Sequence, residues 1–401
     1  MTRIGFLFLH PFSESLGSTT RVLEIARSLY NKGFRATIYD PFEKSHEVNN
    51  VQVKNLKLFG PLTPFFRRTY RLLKRIYYDK NAKKITASKI FRENVLYREI
   101  AKKLAKRIKE DGIEVLVIEQ DFAIVPGILA AEKTKVPTII DIHNITAEEL
   151  VATGILDYES KEYIKMQNEL GELLHRVDGV VVVSEALKDY VKETYRIREN
   201  IVIVPPAGRP RISEIPKRPL PYKLIYAGLI AYREKVDIFV KSIPYLKEKI
   251  SQLEVYMTKK GEELKKVEEI NNHQNLGIQF FWFETRSKLF EFMKTCHVGI
   301  LTSSRNKARM LGPPVKLYDY MSVGLPVVAN YIGGWSEIIK REKIGVTTDD
   351  DPRNFANGIY QLIYDEDLYY KYANNALNAI REKYNWDKAT EPLVSLVRRI
   401  L

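Results

Sequence analysis

Strand-length apolar runs alternate with helix-length amphipathic segments along this chain, and a proline-rich stretch divides the alternation in two. From Pro205 to Pro221 the sequence reads PPAGRPRISEIPKRPLP, six prolines in seventeen residues. Proline removes a backbone donor and blocks the preceding helical turn, so this stretch builds neither a helix nor a central strand. Before it, apolar runs at Ile4–Leu9, Ala36–Tyr39, Val115–Glu119, Thr138–Ile142, Gly179–Ser184 and Asn200–Val204 read as strands. Amphipathic segments at Thr19–Lys32, Ala123–Lys133, Tyr158–Val177 and Ala186–Tyr195 read as the helices between them. After it, Lys223–Ala227, Leu253–Met257, Gly277–Phe281, Val298–Leu301, Leu325–Ala329 and Gly345–Thr347 repeat the strand pattern. Strand–helix alternation predicts parallel sheets covered on both faces. The expected architecture is α/β: doubly wound domains at 1–205 and 222–385, a linker at 206–221, and a closing amphipathic helix, Trp386–Leu401. A ligand is expected in the cleft between such domains.

Two features of the composition bear on location and partners. There is no run of 18 apolar residues, and the sole cysteine, Cys296, excludes an intrachain disulfide. Ile4–Leu9 is short for a signal peptide and is followed at once by His10-Pro11, so a cytoplasmic setting is expected. The net charge of +14 is uneven: between Arg67 and Lys109 sixteen basic residues face three acidic ones. Residues 64–109 read as basic helices interleaved with aromatics. They suit peripheral contact with an anionic membrane on its cytoplasmic face, and equally a solvated basic face packed on its own domain. No nucleic-acid recognition motif accompanies the charge, and no nucleic-acid partner is expected.

The segment LGPPVKLYDYMSVGLPVVANYIGGWSE, Leu311–Glu337, carries the densest chemical signal. Gly312-Pro313-Pro314 ends one helix and allows another to begin. Leu317, Tyr320, Met321 and Gly324 then form a buried stripe, with Lys316 and Asp319 on another face. Gly333-Gly334 opens a further helix. Two helix starts aim N–H groups and positive dipole ends at an anion such as phosphate. A first-turn cation such as Lys316 opposes its helix dipole unless an anion sits there; a solvated lysine on an ordinary helix is the competing reading.

In parallel sheets, ligand groups lie beyond the carboxyl ends of strands. Glu119, Asp141, His143, Asn144 and Ser184 occupy that position in the first half. His143 suits contact with a substrate hydroxyl or proton movement, and a structural histidine reads equally well. Gly17 reads first as a turn glycine, and also as a place for a phosphate to approach the backbone. After the Gly228 turn, Arg233 and Lys235 suit a diphosphate leaving group, with two solvated helix-start cations as the competing reading. Phe283, in QFFWFETR, suits framing a nucleobase or plain core packing. The histidines are scattered and no Asp-x-Asp stands at a strand end, so no metal is expected.

With these parts assembled, the chain resembles the family 4 retaining glycosyltransferases of the GT-B fold, glycosyl transferases group 1. The resemblance rests on PPVKLYDYMSVGLPVVA with GGWSEII, on VDGVVVVSEALKDYV with IVIVPPAG, on YAGLIAYREKVDIFVKSI, and on the opening GSTTRVLEIARSLYNKGF. It implies transfer of a hexose from a nucleotide-sugar, with retained configuration and no cofactor or metal, to a glycan or polyprenyl-linked acceptor. It assigns Asp319 to the nucleotide ribose, Arg233 and Lys235 to the diphosphate with Lys316 beside them, Gly17 to the diphosphate's approach, and His143 to the donor sugar. Gly228, Phe283, Gly312, Val315, Leu317 and Gly333 would line the donor site; Asp141 and Asn144 would face the acceptor. The last helix would return to the amino-terminal domain. Leu311 stands where the family commonly has its first glutamate, and Pro314-Val315-Lys316 matches a Pro-x-Lys variant. A nucleotide-sugar epimerase of the same fold and a non-catalytic nucleotide-sugar-binding protein are the alternatives.

Overall fold

The computed structural model describes residues 1–9, 17–41, 44–58, 91 and 93–401. The chain forms two compact units: Met1–Pro205 with Thr390–Leu401, and Pro206–Ala389.

The first unit is built on β1 (Arg3–Leu7), β2 (Arg35–Asp40), β3 (His46–Val48), β4 (Val51–Asn55), β5 (Val115–Glu119), β6 (Thr138–Ile142), β7 (Gly179–Val182) and β8 (Ile201–Ile203). Among the described residues their order is β3-β4-β2-β1-β5-β6-β7-β8. All neighbours run parallel except β3 and β4. That hairpin was not anticipated. It turns at Asn49-Asn50, both at positive φ, which asparagine tolerates better than most residues. The residues of β5, β6 and β7 are buried throughout, as strands covered on both faces must be. Helices Gly17–Asn31, Val95–Asp111, Ile124–Thr134, Thr146–Ala152, Lys161–Leu174 and Glu185–Tyr195 connect them, and Glu391–Ile400 packs against β7 and β8. Asn94, Ser160 and Ser184 each cap the helix that follows by accepting a backbone N–H. The strand order reverses direction between β1 and β5, because the chain first builds outward through β2 and then returns to the other side of β1.

The second unit holds β9 (Tyr222–Tyr226), β10 (Leu253–Thr258), β11 (Ile278–Phe281), β12 (Val298–Leu301), β13 (Val327–Asn330) and β14 (Gly345–Thr348), in the order β11-β10-β9-β12-β13-β14. All pairs are parallel, and the order reverses between β9 and β12. One core contains Phe239, Ile243 and Phe355; another contains Leu317, Tyr320, Met321 and Trp335. Burying each such side chain contributes about 1.5–3 kcal/mol before entropy is counted.

The proline-rich stretch lacks helix and strand, yet it is docked on the second unit. The Arg211 N–H donates to Ser322 O at 2.8 Å. The Arg218 guanidinium donates to Val323 O at 3.0 Å and Gly324 O at 3.3 Å. The expected closing helix is broken at Thr390. Trp386–Ala389 belongs to the second unit, where Asn385 pairs with Gly208 and Asp387 lies 3.6 Å from Arg209. Glu391–Ile400 starts a new helix with Pro392 in its first turn, where a missing N–H costs nothing.

Most of the basic segment 64–109 lies outside the described residues. Its last part is the helix Val95–Asp111, where Lys103, Lys106 and Arg107 pair with Glu99 and Glu110 of the same helix. Among the described residues no helix is long and apolar enough to cross a membrane.

Candidate functional site

In the second unit the loops after β9 and β12 diverge to opposite faces of the sheet, and polar residues collect where they part. The loop after β9 carries a 3-10 turn, Tyr232–Glu234, and Lys235 then begins the helix Val236–Lys247 from a left-handed conformation, φ 49°. Ser304, after β12, ties this loop down: its N–H and hydroxyl both donate to Arg233 O at 2.9 Å. Asn330, fully buried at the end of β13, accepts from Ser303 N–H at 2.9 Å and donates to Ser303 O at 2.8 Å. The loops are therefore held by hydrogen bonds to their backbone groups as well as by side-chain packing.

Lys316 lies in the first turn of the helix Val315–Ser322, whose start has no side-chain cap. Its ammonium donates to Glu234 Oε2 at 2.7 Å and to the Tyr226 hydroxyl at 3.2 Å, and it sits 4.5 Å from the centre of the Tyr226 ring. Gly228 lies directly against it: a Cβ there would come within 2.6 Å of Lys316 Nζ. Arg309 Nη1 and Arg233 Nε each lie 3.7 Å from Glu234 Oε1. Burial works against charge on Glu234, but Lys316 and then Arg309 outweigh it and hold its carboxyl below the usual range. Three cations and one carboxylate thus surround an uncapped helix start, an arrangement suited to an anion.

Other predicted residues sit around this cluster. Among the described residues, Lys235 stands outside the ion pairs of this cluster. Gly312 is extended and links the helix Lys307–Leu311 to Val315. Gly333 and Gly334 both have positive φ, and Gly334 abuts Met310 O. Leu317 is fully buried and faces the core. Leu311 is buried as well. Asp319 is buried and paired with Arg286 at 2.5 Å; burial pushes its carboxyl up, and Arg286 offsets part of this. Phe283 packs its ring against Phe281 and Phe292 at 5.2 and 5.5 Å.

The first unit has its own polar cluster at the carboxyl ends of β5 and β6. The Arg21 guanidinium, from the helix that Gly17 begins, grips Asp141 in a two-pronged pair at 3.0 and 2.9 Å. His143 Nε2 lies 3.3 Å from Asp141 Oδ2 and 3.4 Å from Glu119 Oε2. Burial opposes charge on His143, but Asp141 outweighs it and raises the imidazole above its ordinary value. Burial and Asp141 raise Glu119. Burial also opposes charge on Asp141, yet Arg21 and His143 bring it down to about 2. Asn144 accepts from Gln120 Nε2 at 2.8 Å. Glu119, Asp141 and His143 offer three ligand atoms within 4.8 Å of one another.

Glu234, Arg309, Tyr226 and Arg21 were not anticipated as site residues. Glu234 stands between two cations that were read as the site. Arg21 lies four positions before Ile25 on the buried helix face, which was a legible signal.

Residues 16–207 match the family Glycosyltransferase Family 4, and residues 210–379 match Glycosyl transferases group 1. An uncharacterized glycosyltransferase of Methanocaldococcus jannaschii is 26% identical over 61% of this chain and 64% of its own length. The chain spans less than two thirds of the length of the curated relatives it matches. Sucrose-phosphate synthase from Thermosynechococcus elongatus superposes with a TM-score of 0.75 at 14% identity, covering 100% of this chain and 99% of that one. The Anabaena protein HepE, solved with UDP and glucose, superposes at 0.68 and 14% identity, with 100% of both chains covered. The two parallel-sheet units and the two end-to-end family matches agree: the chain belongs to the family 4, group 1 glycosyltransferases of the GT-B fold.

Proposed function

We propose that this chain transfers a hexose from a nucleotide-sugar to a glycan or polyprenyl-linked acceptor, with retention of configuration and without a metal. The observation that carries the reading is Lys316, a cation in the first turn of an uncapped helix at the strand-order reversal, steadied by Glu234 and Tyr226. The UDP bound to HepE, a protein of the same fold, supports a nucleotide-sugar donor. As the bond between the sugar's anomeric carbon and the diphosphate breaks, negative charge grows on the departing oxygen. Lys316, Arg233 and Arg309 oppose that charge, each worth about 2–4 kcal/mol to the transition state. The acceptor oxygen bonds to the same face of the anomeric carbon, and its proton passes to the departing phosphate oxygen. His143, beside Asp141 and Glu119, serves as a hydrogen-bond donor to the donor sugar. The basic composition of 64–109 supports an acceptor at an anionic membrane surface.

The test is a panel of nucleotide-sugars with sugar-bearing polyprenyl acceptors, assayed with chelator present and with the product anomer read by NMR. Transfer with retention is expected, with a loss of at least about a hundredfold in Lys316→Ala. An active Lys316→Ala enzyme would remove the assigned role, and an inverted product would remove retention. Epimerised donor without acceptor would indicate an epimerase; tight binding without turnover across the panel would indicate a binding protein. Flotation with anionic vesicles at low and high salt tests the membrane contact, which salt should weaken.

A further inference from the structure

Glu234 is an unexpected residue to find buried in a site for a negatively charged ligand. Its carboxylate accepts from Lys316 Nζ at 2.7 Å and lies 3.7 Å from both Arg309 Nη1 and Arg233 Nε. It is 9% exposed, so water does little to screen it. An acidic residue here weakens anion binding unless it performs a task the cations cannot. The geometry points to two such tasks.

The first is orientation. An ammonium has three N–H donors on a flexible stem. Glu234 and the Tyr226 hydroxyl engage two of them, and the Tyr226 ring and Gly228 close in around the head. The remaining donor is thereby directed to a ligand oxygen. The second task is charge. Glu234 offsets part of the positive charge that Lys316, Arg309 and Arg233 bring, which suits the two negative charges of a sugar diphosphate ester better than a larger charge. A nucleoside triphosphate carries more, and each surplus phosphate charge then also meets Glu234 at short range.

We propose that Glu234 is a positioning and specificity-determining residue: it aims Lys316 and sets the site's charge to favour a diphosphate over a more highly charged nucleotide. This rests on the reading that the cluster takes the donor diphosphate, and the experiment separates the two. Dissociation constants are measured by calorimetry at fixed low salt for UDP, GDP, ADP and CDP, and for the triphosphate of the best-bound base. The proteins are the unaltered chain, Glu234→Gln and Glu234→Asp. Glu234→Gln should shift the ratio of triphosphate to diphosphate affinity toward the triphosphate by about tenfold. Glu234→Asp keeps the charge and should hold the ratio within about twofold. A merely structural glutamate would weaken both nucleotides together and leave their ratio alone. Should Glu234→Gln fail to fold by circular dichroism, Glu234→Ala takes its place with the same expected shift. An unchanged ratio in the neutral variant overturns the proposal while leaving the diphosphate reading in place. An equal shift in Glu234→Asp also overturns it. Absence of binding of every diphosphate to the unaltered chain overturns both.

Discussion

Arg21 and Asp141 are 120 residues apart in sequence, yet they form a two-pronged, fully buried ion pair in the first unit. The pair fastens the helix Gly17–Asn31 to the end of β6, and it sets the electrostatics of His143 beside it. A buried pair of this kind need not raise net stability relative to apolar residues, because both ions lose their hydration. Removing one partner is different, since it strands the other charge.

Arg21→Met should therefore destabilise the first unit by about 3–5 kcal/mol. Denaturant unfolding followed by circular dichroism reads this directly. A change below about 1 kcal/mol would mean that Asp141 is neutralised by other groups.

His143 gives a pH signature. Its folded value is raised, so the imidazole holds its proton more strongly in the folded state than in the unfolded chain. The stability this contributes is fully present below the unfolded value of about 6.5 and is lost as pH rises through the raised folded value. The stability gap between the unaltered chain and His143→Gln should accordingly shrink from pH 6 to pH 9 in urea titrations. A gap that widens with pH would reverse the assigned charge state.

Gly228→Ala tests the packing around Lys316. The added Cβ would meet Nζ at 2.6 Å, so the ammonium must move off its partners. Gly228 is not among the glycines at positive φ, so the backbone is unstrained and any loss of stability comes from displacing the Lys316–Glu234 pair. Donor kcat/KM should fall by about a hundredfold, the cost of misplacing one charged donor. Steady-state kinetics beside a thermal melt distinguish the two effects.

Gly334→Ala should act on the fold. Gly334 has φ 54°, and a Cβ would lie 2.2 Å from Met310 O, a backbone atom that cannot swing aside. A loss of about 1–3 kcal/mol is expected in the second unit. An unchanged melting temperature would show that the Gly333-Gly334 turn yields easily.

The alternation of apolar runs determined most of what was legible. Local spacing decides whether a segment presents a strand or a helix face, so the strands from β5 to β7 and from β9 to β13 could be read within a residue or two. The absence of helix and strand in the proline-rich stretch was legible, because proline's limits are local too. The place of Lys316 in a first helical turn was legible from Gly312-Pro313-Pro314 just before it. Tertiary structure decided the rest. The β3–β4 hairpin depends on a pairing partner, and its three-residue strand has too little pattern to stand out. Thr390 separates two short helices whose apolar faces join different units, a choice that no periodicity records. The roles of Glu234, Arg309 and Arg21 follow from contacts across 75, 82 and 120 residues. A charged residue's meaning depends on what neutralises it after burial, and burial is a property of the folded chain.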